Sequence, residues 1–365
     1  MKYIIDKTKR PVYLQIYKQL KNDIVSGAFP YGSKLPSKRI LASEIGVSTI
    51  TIEHAYALLC EEGYTEARER SGFVVIFKQT DGFASSEEHE KTVNLTSANI
   101  INNNSSIPSF PVSLLSKTMR KVLSEYQDVI LNKSPNLGII ELRNAIKQYL
   151  ARNRDINVDL DQIVIGAGAE YLYGLIVFLL GNDKVFAIEN PSYHKLEQIY
   201  QTAGVEVELL PLSDDGIDSI ALANSNADVL HTTPYRSYPT GITASASKRH
   251  EYIRWANKEN RYIIESDYGS EFSVSTQPTE TLFVLSQNDN VIYLNTFSKT
   301  LSPSMRIGYM VLPKKLVKPF EEKLGFYSCT VPTFEQYVLA ELIKSGDFER
   351  HINRIRRSKR RELGN

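Results

Sequence analysis

Over residues 12–26, Val12, Ile16, Leu20 and Ile24 recur every fourth position, which draws one apolar stripe along a helix that Gly27 ends. The stretch PYGSKLPS (30–37) is turn chemistry, and Ser37 is placed to cap a second helix, KRILASEI, broken at Gly46. Ser48 then caps a third helix whose Ile52, Ala55, Tyr56 and Leu59 face inward. The run TEARERSGFVV alternates like a strand pair around Gly72. Two short helices about a glycine-containing turn, followed by such a ribbon, form a winged helix-turn-helix pattern; a small helical adaptor would share it.

From residue 112 onward the pattern changes. SLLSKTMRKVLSEY and ELRNAIKQYLARN are helical, whereas KVFAIENPSY, VEVELLPL, DVLHTTP, RYIIESDY, NVIYLNTF and RIGYMVL are short β-branched or aromatic runs. QIVIGAGAEYLYGLIVFLL reads as strand, small-residue turn and helix. Helix and strand in alternation predict an α/β domain with a mainly parallel sheet. Candidate ligand residues should then fall just after strands.

A chain of 365 residues exceeds one ordinary core, so two domains are expected. The polar stretch FKQTDGFASSEEHEKTV reads as a linker over 76–92, between a head at 1–75 and a body at 93–365; SANIINNNSSIPSFP (97–111) is loop-like. Hydrophobic content of 42% and charged content of 23% fit a soluble globular protein, and a net charge of +1 excludes a polybasic one. The head alone carries seven Lys and four Arg against eight acidic residues, a mild excess that suits a nucleic-acid face without proving it. Cys60 and Cys329 have no metal-like spacing and read as reduced thiols. The N-terminus lacks a signal-type apolar run, and LYGLIVFLLG is too short for a bilayer, so a cytoplasmic chain without a membrane partner is expected.

The candidate chemistry follows the strands. GAGAEYL places Gly168, Ala169 and Glu170 at a helix start, where backbone N–H groups meet anions; a tightly packed turn would use the same residues. ESDYGSEF puts Asp267 and Tyr268 at a strand end. Lys299 follows VIYLNTF, with Ser298 before it and Arg306 seven positions on. Alone it reads as a solvated loop lysine. Buried beside Arg306, its amine would lose its proton more readily and attack a carbonyl. One ligand would engage all these groups: its phosphate on Arg306, Ser298 and the 168–170 amides, its ring nitrogen on a carboxylate, its aldehyde on Lys299. Pyridoxal 5′-phosphate is that ligand.

LPSKRILASEIGVSTITIEHAYALLCEEGY with SGFVV closely resembles the winged helix-turn-helix of the GntR superfamily, over essentially all of 11–75. The resemblance implies double-stranded operator DNA as partner. The third helix would enter the major groove, presenting Ser48, Thr49, Thr51 and His54. Lys38 and Arg39 would hold phosphates, with Ser71 and Gly72 in the wing. Thr49 stands where that family often has Arg. The ordered motifs ENPSY, YPTG and S-K-x-x-x-P-x-x-R-x-G resemble fold-type I aminotransferases. The pairing with a GntR-type head resembles the MocR/GabR regulators, from about residue 11 to the end. That likeness implies that Lys299 carries the cofactor as a Schiff base and that Arg306 and Ser298 bind its phosphate. Tyr193 would stack on the ring, Tyr268 would bond the phenolic oxygen, and Thr296 would lie on the phosphate side.

Three departures bear on function. Ser266 occupies the place where the family has the carboxylate for the pyridine nitrogen, and Asp267 is one residue on, pointing the other way in a regular strand. Lys133 stands where relatives place an aromatic that reaches a partner's phosphate. The chain ends at HINRIRRSKRRELGN, before the small subdomain of relatives, so the body is expected to be truncated; the basic run there reads as a solvated helix end. The expected function is a homodimeric regulator that senses pyridoxal phosphate, or an amine or amino acid, through Lys299, with at most residual transaminase activity. The alternatives are an aminotransferase with an attached head, and a regulator that binds DNA but no cofactor.

Overall fold

The computed structural model describes residues 3, 5, 11–68, 72–78, 110–272 and 280–363. The head's three helices are α1 (Val12–Val25), α2 (Lys38–Ile45) and α3 (Thr49–Glu61). Ser37 and Ser48 cap α2 and α3 by accepting the Ile40 and Thr51 amides, and Gly46 ends α2 in the left-handed region at φ 71°. Most of the predicted stripe is the observed one: Ile16, Leu20, Ile24, Ile52, Ala55, Tyr56 and Leu59 form the buried centre, with Val12 partly buried at its edge. Each large aliphatic there stabilises the head by about 1.5–3 kcal/mol. The wing is β1 (Thr65–Arg68) paired antiparallel with β2 (Gly72–Val75). Phe77, given to the linker by its polar neighbours, is buried in the head's apolar cluster, so the head reaches at least Lys78. The rest of the expected linker, and Ser71, lie outside the described residues.

In the body, α4 (Val112–Tyr126) and α5 (Ile140–Arg154) precede β3 (Ile163–Gly166), α6 (Ala169–Leu180) and β4 (Val185–Asn190). Then come α7 (His194–Thr202), β5 (Glu206–Ser213), β6 (Gly216–Ile217), α8 (Ser219–Asn224), β7 (Val229–Thr232) and α9 (Ala246–Lys258). β8 (Tyr262–Ser266), α10 (Leu282–Leu285), β9 (Val291–Thr296) and β10 (Gly308–Val311) follow. The last helices are α11 (Lys314–Leu324), α12 (Thr333–Lys344) and α13 (Asp347–Leu363).

The strands form one sheet in the order β3-β10-β9-β8-β7-β4-β5-β6. Pairs among β9, β8, β7, β4 and β5 are parallel; β10 runs antiparallel to both neighbours, and β6 folds back on β5. Side chains alternate between faces as the pleat requires. Ile292 and Leu294 pack with α6 and α11 on one face, while Tyr293 packs with α5 and α12 on the other. Both faces are covered, which is why β9 is buried at every residue and reads as a nearly continuous apolar run. This arrangement brings the carboxyl ends of β3, β4, β7, β8 and β9 to one side.

Candidate cofactor site and nucleic-acid face

At that side of the sheet lies a cavity of about 430 Å³. Its wall takes Ala169 and Glu170 from the start of α6, Glu189, Ser192 and Tyr193 after β4, and His231 and Thr233 from β7. Ser266 ends β8 and Tyr268 follows it, Asn295 and Thr296 end β9 and Ser298 follows it, and Arg306 lies in the turn before β10. The strand-end rule therefore locates it correctly.

One end is built for an anion. Gly168 precedes α6 with φ 87°, a conformation that favours glycine, and the Arg306 guanidinium packs closely against it, 3.2 Å from where a Cβ would lie. Arg306 itself is left-handed at φ 48°. Thr296 Oγ1 is buried without a hydrogen-bond partner. Helix-start amides, a guanidinium and an unsatisfied hydroxyl together suit a phosphate. The Glu170 side chain is turned to its basic neighbours, Oε2 standing 3.8 Å from Arg306 Nη2 and Oε1 3.4 Å from Lys195 Nζ.

Lys299 Nζ lies 4.7 Å from the centroid of the Tyr268 ring that walls the cavity, and 5.9 Å from that of Phe272. Gly269 makes the approach possible: with φ 82°, its Cβ would stand 3.0 Å from that nitrogen. Burial lowers the Lys299 pKa, and the like charges of Lys359 and Arg236 lower it further, with Glu271 opposing. The expectation that Arg306 supplies the like charge is thus corrected.

Asp267 is also corrected as a cavity residue. It turns to the other face of the sheet, where its carboxylate meets Arg154 Nη2 at 2.8 Å and accepts the Tyr293 hydroxyl at 2.5 Å. Ser266 faces the cavity beside Tyr173. Nearby His231 is held by the Tyr200 hydroxyl at 2.7 Å, and burial drives its pKa down to about 3, so it is neutral. The residues fit the phosphate and the aldehyde of pyridoxal phosphate; the strand that should supply a carboxylate offers a hydroxyl.

Sequence reasoning missed Tyr173, Glu189, His231, Thr233, Tyr238 and Asn295. For three of these the signal was present: Glu189, His231 and Asn295 are each the first polar residue to close an otherwise apolar strand run. Among the described residues no cluster could hold a metal, and no helix is long and apolar enough to cross a membrane. Cys60 and Cys329 are free and partly exposed.

On the head, Thr49 and His54 are exposed at the start of α3, and His54 rests edge-on to Tyr13 at 5.7 Å. The Ser48 and Thr51 hydroxyls lie 2.8 Å apart, so both are engaged at the cap. Arg39 is exposed, whereas Lys38 is paired with Glu53 at 2.7 Å. Gly72 opens β2 at φ 82°, exposed.

A winged helix-turn-helix carried on an aminotransferase-type body defines a class of DNA-binding regulators, and similarity to known proteins agrees with that assignment. Residues 12–75 match "Bacterial regulatory proteins, gntR family", and residues 98–363 match "Aminotransferase class I and II". The HTH-type transcriptional regulator YdeL of Bacillus subtilis is 32% identical over 96% of this chain and 77% of its own length. The HTH-type pyridoxine biosynthesis transcriptional regulator PdxR of Corynebacterium glutamicum is 27% identical over 94% and 75%. The crystal structure of a multiple substrate aminotransferase from Thermococcus profundus superposes with a TM-score of 0.62 at 25% identity, over 76% of this chain and 73% of that one. The chain belongs to the gntR-type transcriptional regulators of the MocR kind, which join a helix-turn-helix head to a class I and II aminotransferase domain.

Proposed function

We propose that this regulator holds pyridoxal 5′-phosphate in the body's cavity and changes its affinity for operator DNA when that site is filled, or when an amine or amino acid reacts there. The observation that carries the reading is one cavity lined by Arg306 and the start of α6, with Lys299 Nζ just behind its wall, 4.7 Å from the centroid of the Tyr268 ring. When bound, the cofactor supplies an aldehyde open to attack by amines. Arg306, Ser298, Thr296 and the amides at Gly168–Glu170 hold its phosphate. Tyr193 and Tyr268 flank the ring, and Lys299 presents an amine that burial keeps readily deprotonated. A relative named for regulating pyridoxine biosynthesis supports a vitamer as signal. The protein acts in the cytoplasm, as a homodimer suited to a two-fold operator.

The aminotransferase structures favour a second reading, an enzyme. Ser266 weighs against it, because transamination draws electrons into a protonated ring nitrogen and a hydroxyl does not hold that proton as a carboxylate does. The test is operator affinity with and without pyridoxal phosphate. A response in the wild type that Lys299→Ala abolishes supports the sensor. Sustained amino-group transfer to a keto acid, with no change in DNA affinity, overturns it in favour of the enzyme.

A further inference from the structure

The head is seated on the body through a buried polar surface, and the loop 233–245 joins that surface to the cavity. Thr233 and Tyr238 line the cavity. Their loop is fixed by buried Glu189, which accepts from the Thr232 hydroxyl at 2.5 Å, from the Thr233 amide at 2.9 Å and from the Ser237 hydroxyl. The same loop ends at Ser245, the cap of α9. The start of α9 is the head's seat. Ala246 is fully buried in the head's own apolar cluster, and Ser247 Oγ accepts the Lys78 amide at 2.8 Å. Arg249 Nη2 donates to the Glu62 carbonyl at 2.8 Å and to its carboxylate at 3.1 Å, and His250 Nε2 lies 3.1 Å from the Tyr64 hydroxyl.

Glu280 closes the seat. It accepts the Tyr64 hydroxyl at 2.6 Å and the Lys21 ammonium, and its amide donates to both Glu62 carboxylate oxygens at 3.1 Å. Glu62, Tyr64 and Arg249 are buried. A partial slip would leave such charges neither paired nor hydrated, whereas full release returns them to water, so the seat favours two discrete states, docked or released, over gradual slippage. A further ion pair between head and body, Lys18–Asp155 at 2.8 Å, is more than half exposed and holds little.

Glu62 and Tyr64 directly follow α3, whose far end presents Thr49. The helix is about 20 Å long and stiff, so a small tilt at its seated end displaces its DNA-reading end. We propose that the seat formed by Glu62, Tyr64, Arg249 and Glu280 transmits the state of the cavity to the recognition helix, by direct contact through the 233–245 loop and α9, with the linker serving only as a tether. This rests on the sensing reading above.

Tyr64→Phe removes one hydroxyl while keeping the ring in the head's core, and Glu280→Gln weakens the same contact from the body side. With the full chain and a duplex from its own upstream region, pyridoxal phosphate is expected to change wild-type operator affinity about fivefold or more. In each variant the response should fall below about twofold, while capture of the cofactor at Lys299 is unchanged. Because the two changes share the Tyr64–Glu280 contact, while Glu280→Gln also breaks the pair with Lys21, the double variant should lose less than the sum of the two single losses. An equal response in wild type and variants overturns the seat and leaves sensing intact, with the linker as carrier. No response in the wild type overturns sensing and the seat together.

Discussion

Ser266 and Asp267 are consecutive residues that serve opposite faces of the sheet: the hydroxyl faces the cavity beside Tyr173, and the carboxylate is locked to Arg154 at 2.8 Å. A carboxylate one residue away is therefore no substitute for one in the cavity. Asp267 is both paired and hydrogen-bonded where it stands, and turning it round would strand Arg154, which is buried. Placing a carboxylate on the cavity side is the direct test. Ser266→Asp is expected to raise the single-turnover rate of amino transfer from an amino acid by at least about tenfold over wild type, followed by the absorbance of the bound cofactor. An unchanged rate would show that something other than this position limits the chemistry.

The two neighbours should also differ in what they do for stability. Asp267→Asn breaks a buried ion pair and is expected to cost about 3–5 kcal/mol, read as a large drop in Tm or in denaturant midpoint. Ser266→Ala removes only a neutral hydroxyl and is expected to cost about 1 kcal/mol or less. Equal losses would contradict the assignment of Asp267 to a structural role.

The reactivity of Lys299 should follow its surroundings. Burial and the charges of Lys359 and Arg236 lower its pKa, so the uncharged amine appears at lower pH than for an exposed lysine. The rate of cofactor capture should rise with pH through that lowered pKa. Lys359→Met removes a repelling charge and raises the pKa, so the midpoint of the profile is expected to move up. A shift down, or none, would show that Lys359 does not act on the amine.

DNA binding offers a contrast between adjacent basic residues. Arg39 is exposed, and Arg39→Ala should reduce the slope of log affinity against log salt by about 0.9, the share of one phosphate contact. Lys38 is already neutralised by Glu53 at 2.7 Å, so Lys38→Ala should change the slope less, and Glu53→Gln should tighten binding. Equal slopes for the two alanine variants would place Lys38 on the phosphate despite its pairing.

Much of this was legible in the sequence because local rules were obeyed. The i, i+4 stripe of Ile16, Leu20 and Ile24 and the caps Ser37 and Ser48 fold as their spacing dictates. The cavity lies after the strands because a sheet with mainly parallel strands gathers their carboxyl ends on one side. What escaped depends on distant partners. Phe77 sits in a polar-looking stretch, yet the head's core claims it. Arg249 and Glu280 bear on the head only because folding brings residues nearly 200 positions or more from Glu62 beside it. No sequence period encodes such a contact. The two-residue strand β6 is too short to leave a pattern.

The central claim is that the amine of Lys299 takes the aldehyde of pyridoxal phosphate while Arg306 holds the phosphate. Borohydride reduction of the full chain incubated with the cofactor, followed by peptide mapping, reads it directly. The account predicts one modified peptide, containing Lys299, absent from Lys299→Ala and much reduced in Arg306→Ala. Label absent from that peptide at saturating cofactor, or scattered equally over surface lysines, would contradict it.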